Sequence, residues 1–437
     1  MGQSLTSRGI SPATGLPPAE GTVVTSSFQV LAERPFRHVF AARAVSLLGT
    51  SMAPVALAFA ILGQPGGSAT RLGIVMAGRS VAQVAFMLFG GALADRFPRY
   101  RLMVGSALLG FAAQGTIAAL FLTGTPPLAL LTALSVVNGA AAALFFPASR
   151  GLIPQLVPGP RRQSANALIR LSENSASLAG AALSGVTVAT IGSGWALAVD
   201  AATFLASAIL VLTARAPAGR HATGHLTVLA DLREGWQEFR TRTWVWVIVA
   251  QFALINLCFS PTINVLGPVV ARQHWGGALA WSLVVTANAA GLIAGSLLAM
   301  RLRPAFPLLV ATLATFGFLP PFFLLALPAP PWLAALSMLI NGLTLDIFEV
   351  LWLTALQEHI PSDKLSRVNS YDALGSFALG PIGLLLVGPV SAALSARDTL
   401  IAAGTLVAIG NLAALLTPAV RRLPARLQPE QTATPAG

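Results

Sequence analysis

Twelve stretches of predominantly apolar residues run through this chain, at 36–62, 71–94, 102–122, 127–149, 164–191, 194–214, 244–270, 277–300, 305–327, 331–357, 366–392 and 397–418. Each is long enough to cross the hydrocarbon core of a bilayer as a helix, for which about 20 residues suffice. Only 10% of the residues are charged, against about 25% in soluble domains, and the mean hydropathy is +0.74. No aqueous fold of this length has a core large enough to hold so much apolar surface. In lipid each backbone polar group must be satisfied within its own segment. The sequence therefore predicts an all-α integral membrane protein with twelve transmembrane helices.

The polar remainder marks the organisation. Gly- and Pro-containing connections such as Gly124-Thr125-Pro126-Pro127 and Pro328-Ala329-Pro330-Pro331 separate the runs. Residues 1–35, rich in Ser, Thr, Gly and Pro and without an apolar segment, read as a disordered tail with no cleavable signal peptide. Residues 419–437 read as a second polar tail. The longest connection, 215–243, spaces Leu226, Leu229, Leu232, Trp236 and Phe239 three or four apart, with charged residues between them. That is the pattern of an amphipathic helix lying along a membrane surface. It would link six-helix bundles at 36–214 and 244–418.

The excess of 27 basic over 15 acidic residues would point to nucleic acid in a soluble protein. Sorted by alternate connections, it becomes an orientation signal. The side holding both ends carries 21 basic residues, the opposite loops carry Arg71, Arg272 and Arg397, and the spans carry Arg43, Arg79 and Arg170. Basic residues accumulate in cytoplasmic loops, so both termini are expected in the cytoplasm and the chain in the cell (inner) membrane. No nucleic-acid partner is implied. Lys364 is the single lysine, which excludes a GxxxxGK[ST] loop and with it an ATP site of that kind. Cys258 is the single cysteine and the five histidines are scattered, so neither a metal nor another cofactor is expected. HExxH and GxSxG patterns are absent. The composition argues against an enzyme.

A repeat relates the two halves. Asn138-Gly139 recurs as Asn341-Gly342 at an offset of 203, which also carries Phe145 onto Phe348, Pro158 onto Pro361 and Asn166 onto Asn369. Two pseudo-symmetric six-helix bundles with a site between them form a transporter architecture.

The most specific motif is Gly91-Ala-Leu-Ala-Asp95-Arg96-Phe-Pro-Arg99-Tyr-Arg101, between the second and third runs. Small residues there let helices approach closely, and Asp95 can pair with Arg96 or Arg99. Further segments accompany it: Phe36-Arg-His-Val-Phe-Ala-Ala-Arg43, Phe146-Pro147-Ala148-Ser-Arg150-Gly and Trp352-Leu-Thr354-Ala-Leu356-Gln357. Together they resemble the major facilitator superfamily over nearly the whole chain, in the branch of bacterial drug and siderophore exporters that includes enterobactin-exporter-like and macrolide-efflux-like proteins. The resemblance implies a proton-driven exporter that alternates between inward-open and outward-open states. Gly91, Asp95, Arg96 and Arg99 would then form a conformational latch. The chain departs from the family's fifth-helix Gly-Pro-x-x-Gly-Gly stretch, having Gly180-Ala181-Ala182-Leu183-Ser184-Gly185 instead.

Five carboxyl groups fall within the runs: Glu173, Asp200, Asp346, Glu349 and Asp372. A charge in the membrane interior costs about 2.5–3.5 kcal/mol on insertion scales, so each must pair, meet water or take up a proton. Asp346 and Glu349, spaced i, i+3 on one face of the tenth helix, are the first candidates to carry a proton, followed by Glu173 and then Asp372. The alternative is structural pairing, Arg170 with Glu173 or Arg43 with Asp372, and for Asp372 and Asp200 a structural role is favoured. The resemblance places helices one, four, seven and ten around a central cavity. There Asn138, Phe145, Phe146, Phe252, Asn256, Phe259, Asn341, Phe348 and Trp352 become candidate contacts, with packing as their alternative role. Few charges in such a cavity suit a lipophilic small molecule.

Three readings follow: a proton-coupled exporter of small lipophilic compounds such as drugs, antibiotics or siderophores; an uptake symporter of the same fold; or a membrane sensor or scaffold. The expected partners are the small molecule, protons and the bilayer, with the protein acting as a monomer.

Overall fold

Apolar runs that cannot leave an amide unpaired in lipid fold as helices, and the computed structural model of this chain contains no strand among the described residues. It describes residues 29–157, 161–214, 236–237, 239–327 and 329–425. For 29, 87–96, 146–147, 150–151, 153–155, 162–164, 167, 362–363 and 366–367 it describes the backbone alone. Most of the two expected tails and of the 215–243 linker lie outside the described residues. At the linker's end, Trp236 and Phe239 stack on each other, with ring centroids 5.6 Å apart, and pack against Tyr371.

Among the described residues twelve helical rods follow in order. They are α1 (Arg34–Gly63), α2 (Ala69–Arg96), α3 (Arg99–Thr123), α4 (Leu128–Leu156), α5 (Arg162–Thr190) and α6 (Ser193–Thr213). In the second half α7 runs Thr243–His274, α8 Ala278–Ala299, α9 Pro307–Ala326, α10 Pro331–His359, α11 Ser362–Leu394 and α12 Ala396–Leu416. Ten of the described segments are long and apolar enough to cross a membrane. The other two, α2 and α5, have comparable length, with 28 and 29 residues. Three rods are interrupted where proline removes a backbone donor. α7 passes through a π segment at Thr262–Leu266 just after Pro261, α9 tightens at Thr315–Phe318 before Pro320 and Pro321, and α11 breaks before Gly380-Pro381.

The two halves repeat one packing device. Gly139 of α4 lies against the backbone of Arg79 in α2, and Gly342 of α10 lies against the backbone of Asn288 in α8. A side chain at either position would collide with main chain. The neighbouring amides are bonded across helices: Asn138 donates to Gln114 at 2.8 Å, and Asn288 donates to Asn341 at 3.0 Å. Asn138 and Asn341 are both buried. The repeated Asn-Gly pair is thus a joint for close helix contact. Gly342→Leu is expected to lower stability by about 1–3 kcal/mol, the usual cost of overpacking, read as a reduced melting temperature of the purified protein.

Between the halves, the packed pairs are α5 with α8, α2 with α11, α1 with α8, and α1 and α2 with the latter part of α7. The close approaches are at the end remote from the termini. Gly73 of α2 abuts the Leu384 carbonyl, Gly388 of α11 abuts Thr70, and Gly185 of α5 abuts Ser282 and Ala278 of α8. That end is sealed by glycines.

Candidate functional site

Behind this seal lies a cavity of about 560 Å³, lined by α1, α2, α3, α4, α6, α7 and α11. Its volume is within the range of about 300–1,000 Å³ that holds a small molecule. Most of its polar lining comes in helical pairs, Ser46 and Thr50 on α1, Ser80 and Gln83 on α2, Asn256 and Ser260 on α7, with Ser106 of α3 and Ser149 of α4 standing singly. A spacing of three or four puts both members of a pair on one face. Apolar surface is supplied by Leu47, Val84, Ala107, Ala141 to Ala143, Phe145, Phe204 and Phe377. The wall is mainly hydroxylic and apolar.

One charge faces the cavity among the described residues, Arg43. Its guanidinium pairs with Glu173 of α5 and donates to Ser149 Oγ of α4 at 2.7 Å. This corrects the structural pairings expected from sequence. Arg43 belongs to Glu173 and not to Asp372, because α1 and α5 pack within one half while Asp372 stands on α11 of the other. Asp372 instead accepts from Trp352 Nε1 at 3.0 Å and from Ser376 Oγ at 3.3 Å.

The tenth-helix carboxyls differ from each other. Asp346 accepts a hydrogen bond from Ser296 of α8, which fixes it between helices. Glu349, one turn on, is exposed and has no hydrogen-bond or ion-pair partner among the described residues. The charges within its electrostatic reach are Asp372, Asp346 and Arg170, the last on α5 of the opposite half. Two acids of its own half and one base of the other thus act on a carboxyl that holds no partner among the described residues.

Several expected cavity contacts are elsewhere. Phe252 and Phe348 stack with centroids 4.2 Å apart, Phe259 packs edge-on to Phe318 at 4.9 Å, and Trp352 joins Phe348 and Trp244. Phe252, Phe348 and Trp352 are buried and Phe259 is packed against them, filling the gap between α7, α9 and α10 in the second half. Aromatic rings go where they bury most area, and here that is the bundle core and not the cavity. Asn138 and Asn341 serve the helix joints described above. Phe145 and Asn256 do line the cavity, and Asn256 also donates to the carbonyls of Phe252 and Ser376, at 3.1 Å each. The side chains of Phe146, Asp95 and Arg96, and the surroundings of Gly91, lie outside the described residues; Arg99 begins α3. The lining hydroxyls were missed in the sequence because each is unremarkable alone. Their pairing at helical spacing was the available signal.

The sequence profile of the Major Facilitator Superfamily matches residues 39–384. Among curated proteins, the enterobactin exporter EntS of Citrobacter koseri is 26% identical over 383 residues, covering 84% of this chain and 89% of that protein. The multidrug efflux pump Tap of Mycobacterium tuberculosis is 27% identical over 395 residues, covering 86% and 91%. Among solved structures, a variant of the nucleoside transporter NupG superposes with a TM-score of 0.73 at 11% identity, over 88% of this chain and all (100%) of that one. A bacterial homologue of the lysosomal transporter Spinster, captured inward-facing and unoccupied, gives 0.69 at 15% identity, over 93% and 98%. At such identities the structures speak for the fold alone.

Proposed function

Because the chain belongs to the Major Facilitator Superfamily and is a multi-pass membrane transporter, we propose that it is a proton-coupled exporter of small lipophilic compounds. One observation carries the proposal: Glu349, a carboxyl without a hydrogen-bond or ion-pair partner among the described residues, is within electrostatic reach of Arg170 of the other half, and the two halves are packed together at the opposite end. Such a group can hold a proton when the gap is closed around it and release it when water enters. Arg170, within its reach from the other half, is placed to replace the proton when the halves close. Asp346, Glu173 and Asp372 already hold partners and come after Glu349 as carriers. The exporter direction draws support from the kinship with EntS and Tap. The hydroxyl-studded apolar wall fits neutral or weakly polar aromatic compounds better than strongly anionic ones.

The proposed setting is the cell membrane with both termini in the cytoplasm, so that the sealed end faces outward. Everted vesicles with an acidified lumen test the function. Addition of a transported lipophilic compound should release protons from the lumen in step with its uptake. Compound-driven proton movement into the lumen would overturn export in favour of uptake symport. Absence of any response across a chemically diverse panel would overturn transport of this class altogether.

A further inference from the structure

Asp200 of α6 has no part in the site above, yet it is the most deeply buried acid among the described residues, at 1% exposure. Its Oδ1 has no hydrogen-bond partner there. The nearby Thr203 hydroxyl turns to the Asp200 backbone carbonyl at 2.7 Å and not to the carboxyl. Arg79 of α2 is the charged group that reaches it electrostatically, but the two form no ion pair among the described residues. The elements packed on α6 bring no other charge near. α1 meets the carboxyl with Gly49, whose added Cβ would lie 2.6 Å from Oδ1. α1 has no charged residue beyond Arg43, α3 none beyond Arg101, and α5 none beyond Glu173.

An ionised carboxylate in such a place would be expected to draw the guanidinium onto itself, since a buried charge without partners is costly. A carboxylic acid carrying its proton has no such need. The surroundings connect this group to the cavity. Phe204, one turn along α6, lines it, as do Ser80 beside Arg79 and both Ser46 and Thr50 flanking Gly49. α2 also carries Thr70 and Gly73, which seal the remote end against α11.

We propose that Asp200 is a second proton-binding site, set behind the cavity wall, whose proton exchanges with cavity water. When the proton leaves, the carboxylate attracts Arg79, pulls α2 towards α6 and loosens the α2–α11 seal. Protonation restores the sealed arrangement. This does not depend on Glu349, on the transported compound or on the direction of transport.

The test needs no ligand. Infrared spectra of the purified, reconstituted protein should show a protonated-carboxyl carbonyl band that falls with rising pH and is missing in Asp200→Asn. In a Cys258→Ala background, maleimide labelling of Thr70→Cys should speed up at alkaline pH by more than the same cysteine does in the denatured protein, where only thiolate formation raises the rate, and Asp200→Asn should remove that excess. Where Asp200→Asn alone does not fold, Arg79→Gln is compared with Arg79→Gln/Asp200→Asn, which leaves no charge at the site; the band should be present in the first and lost in the second. A band unchanged by either removal of Asp200, or an excess of the labelling rate at alkaline pH over the denatured control that survives it, would overturn the proposal and leave Asp200 as structural.

Discussion

Glu349→Gln is expected to lower the steady-state accumulation of a neutral substrate in everted vesicles by up to about fortyfold at a membrane potential of 100 mV. Moving one charge through that potential is worth about 2.3 kcal/mol, and each 1.4 kcal/mol is tenfold in a ratio of concentrations. A transporter that loses one coupled proton forfeits that factor. Gln has the size and hydrogen-bonding capacity of the protonated acid but cannot release a proton, so binding of the compound should persist while the gradient no longer drives it. Among the four carboxyls expected to carry the proton, Glu349 stands apart because Asp346, Asp372 and Glu173 already have partners: Ser296, Trp352 with Ser376, and Arg43. Asp346→Asn should have a smaller effect on coupling, since it removes an acceptor that Ser296 already occupies. The double variant should match Glu349→Gln. Gradient-driven accumulation unchanged in the double variant would remove both tenth-helix carboxyls from the mechanism.

Arg43→Gln should be the most damaging single change to stability in the first half, by about 3–5 kcal/mol, the typical cost of leaving one member of a buried pair alone. Arg43 is 6% exposed and Glu173 21% at the side chain, so Glu173 would remain in a partly dry wall without its counter-charge. Arg43→Gln/Glu173→Gln should regain most of the loss, because two neutral amides can bond to each other and to Ser149. Chemical or thermal unfolding of the single and double variants forms the cycle that measures this. Equal melting temperatures for wild type and Arg43→Gln would show that the pair contributes nothing to the fold. In transport, the double variant should retain proton coupling if Glu349 carries it, and this separates the pair's structural role from Glu173 as a carrier.

Much of the architecture was legible because lipid leaves the backbone few choices. Twelve apolar runs become twelve rods, and the Asn-Gly repeat becomes the same helix joint in each half, since only a glycine admits a neighbouring backbone so closely. The intramembrane carboxyls were legible too, because any charge in an apolar run stands out. Their partners were not. Whether Arg43 meets Glu173 or Asp372 depends on which helices share a bundle face, and one apolar helix reads much like another. The aromatic residues show the same limit. Phe145 of α4 and its repeat partner Phe348 of α10 occupy matched positions in sequence, yet one lines the cavity and the other stacks on Phe252 in the core.

The sequence by itself determined that the chain crosses the membrane, how often it does so, that its halves repeat, and which residues are too costly to bury without a purpose. These are one-dimensional properties, set by hydropathy, length and charge along the chain. Only the tertiary structure decided which carboxyls are left without a partner among the described residues, which wall the substrate meets and which end is sealed. Those outcomes depend on the rotation of each helix about its axis and on close approaches at a few glycines, and contacts between residues far apart in the chain settle both.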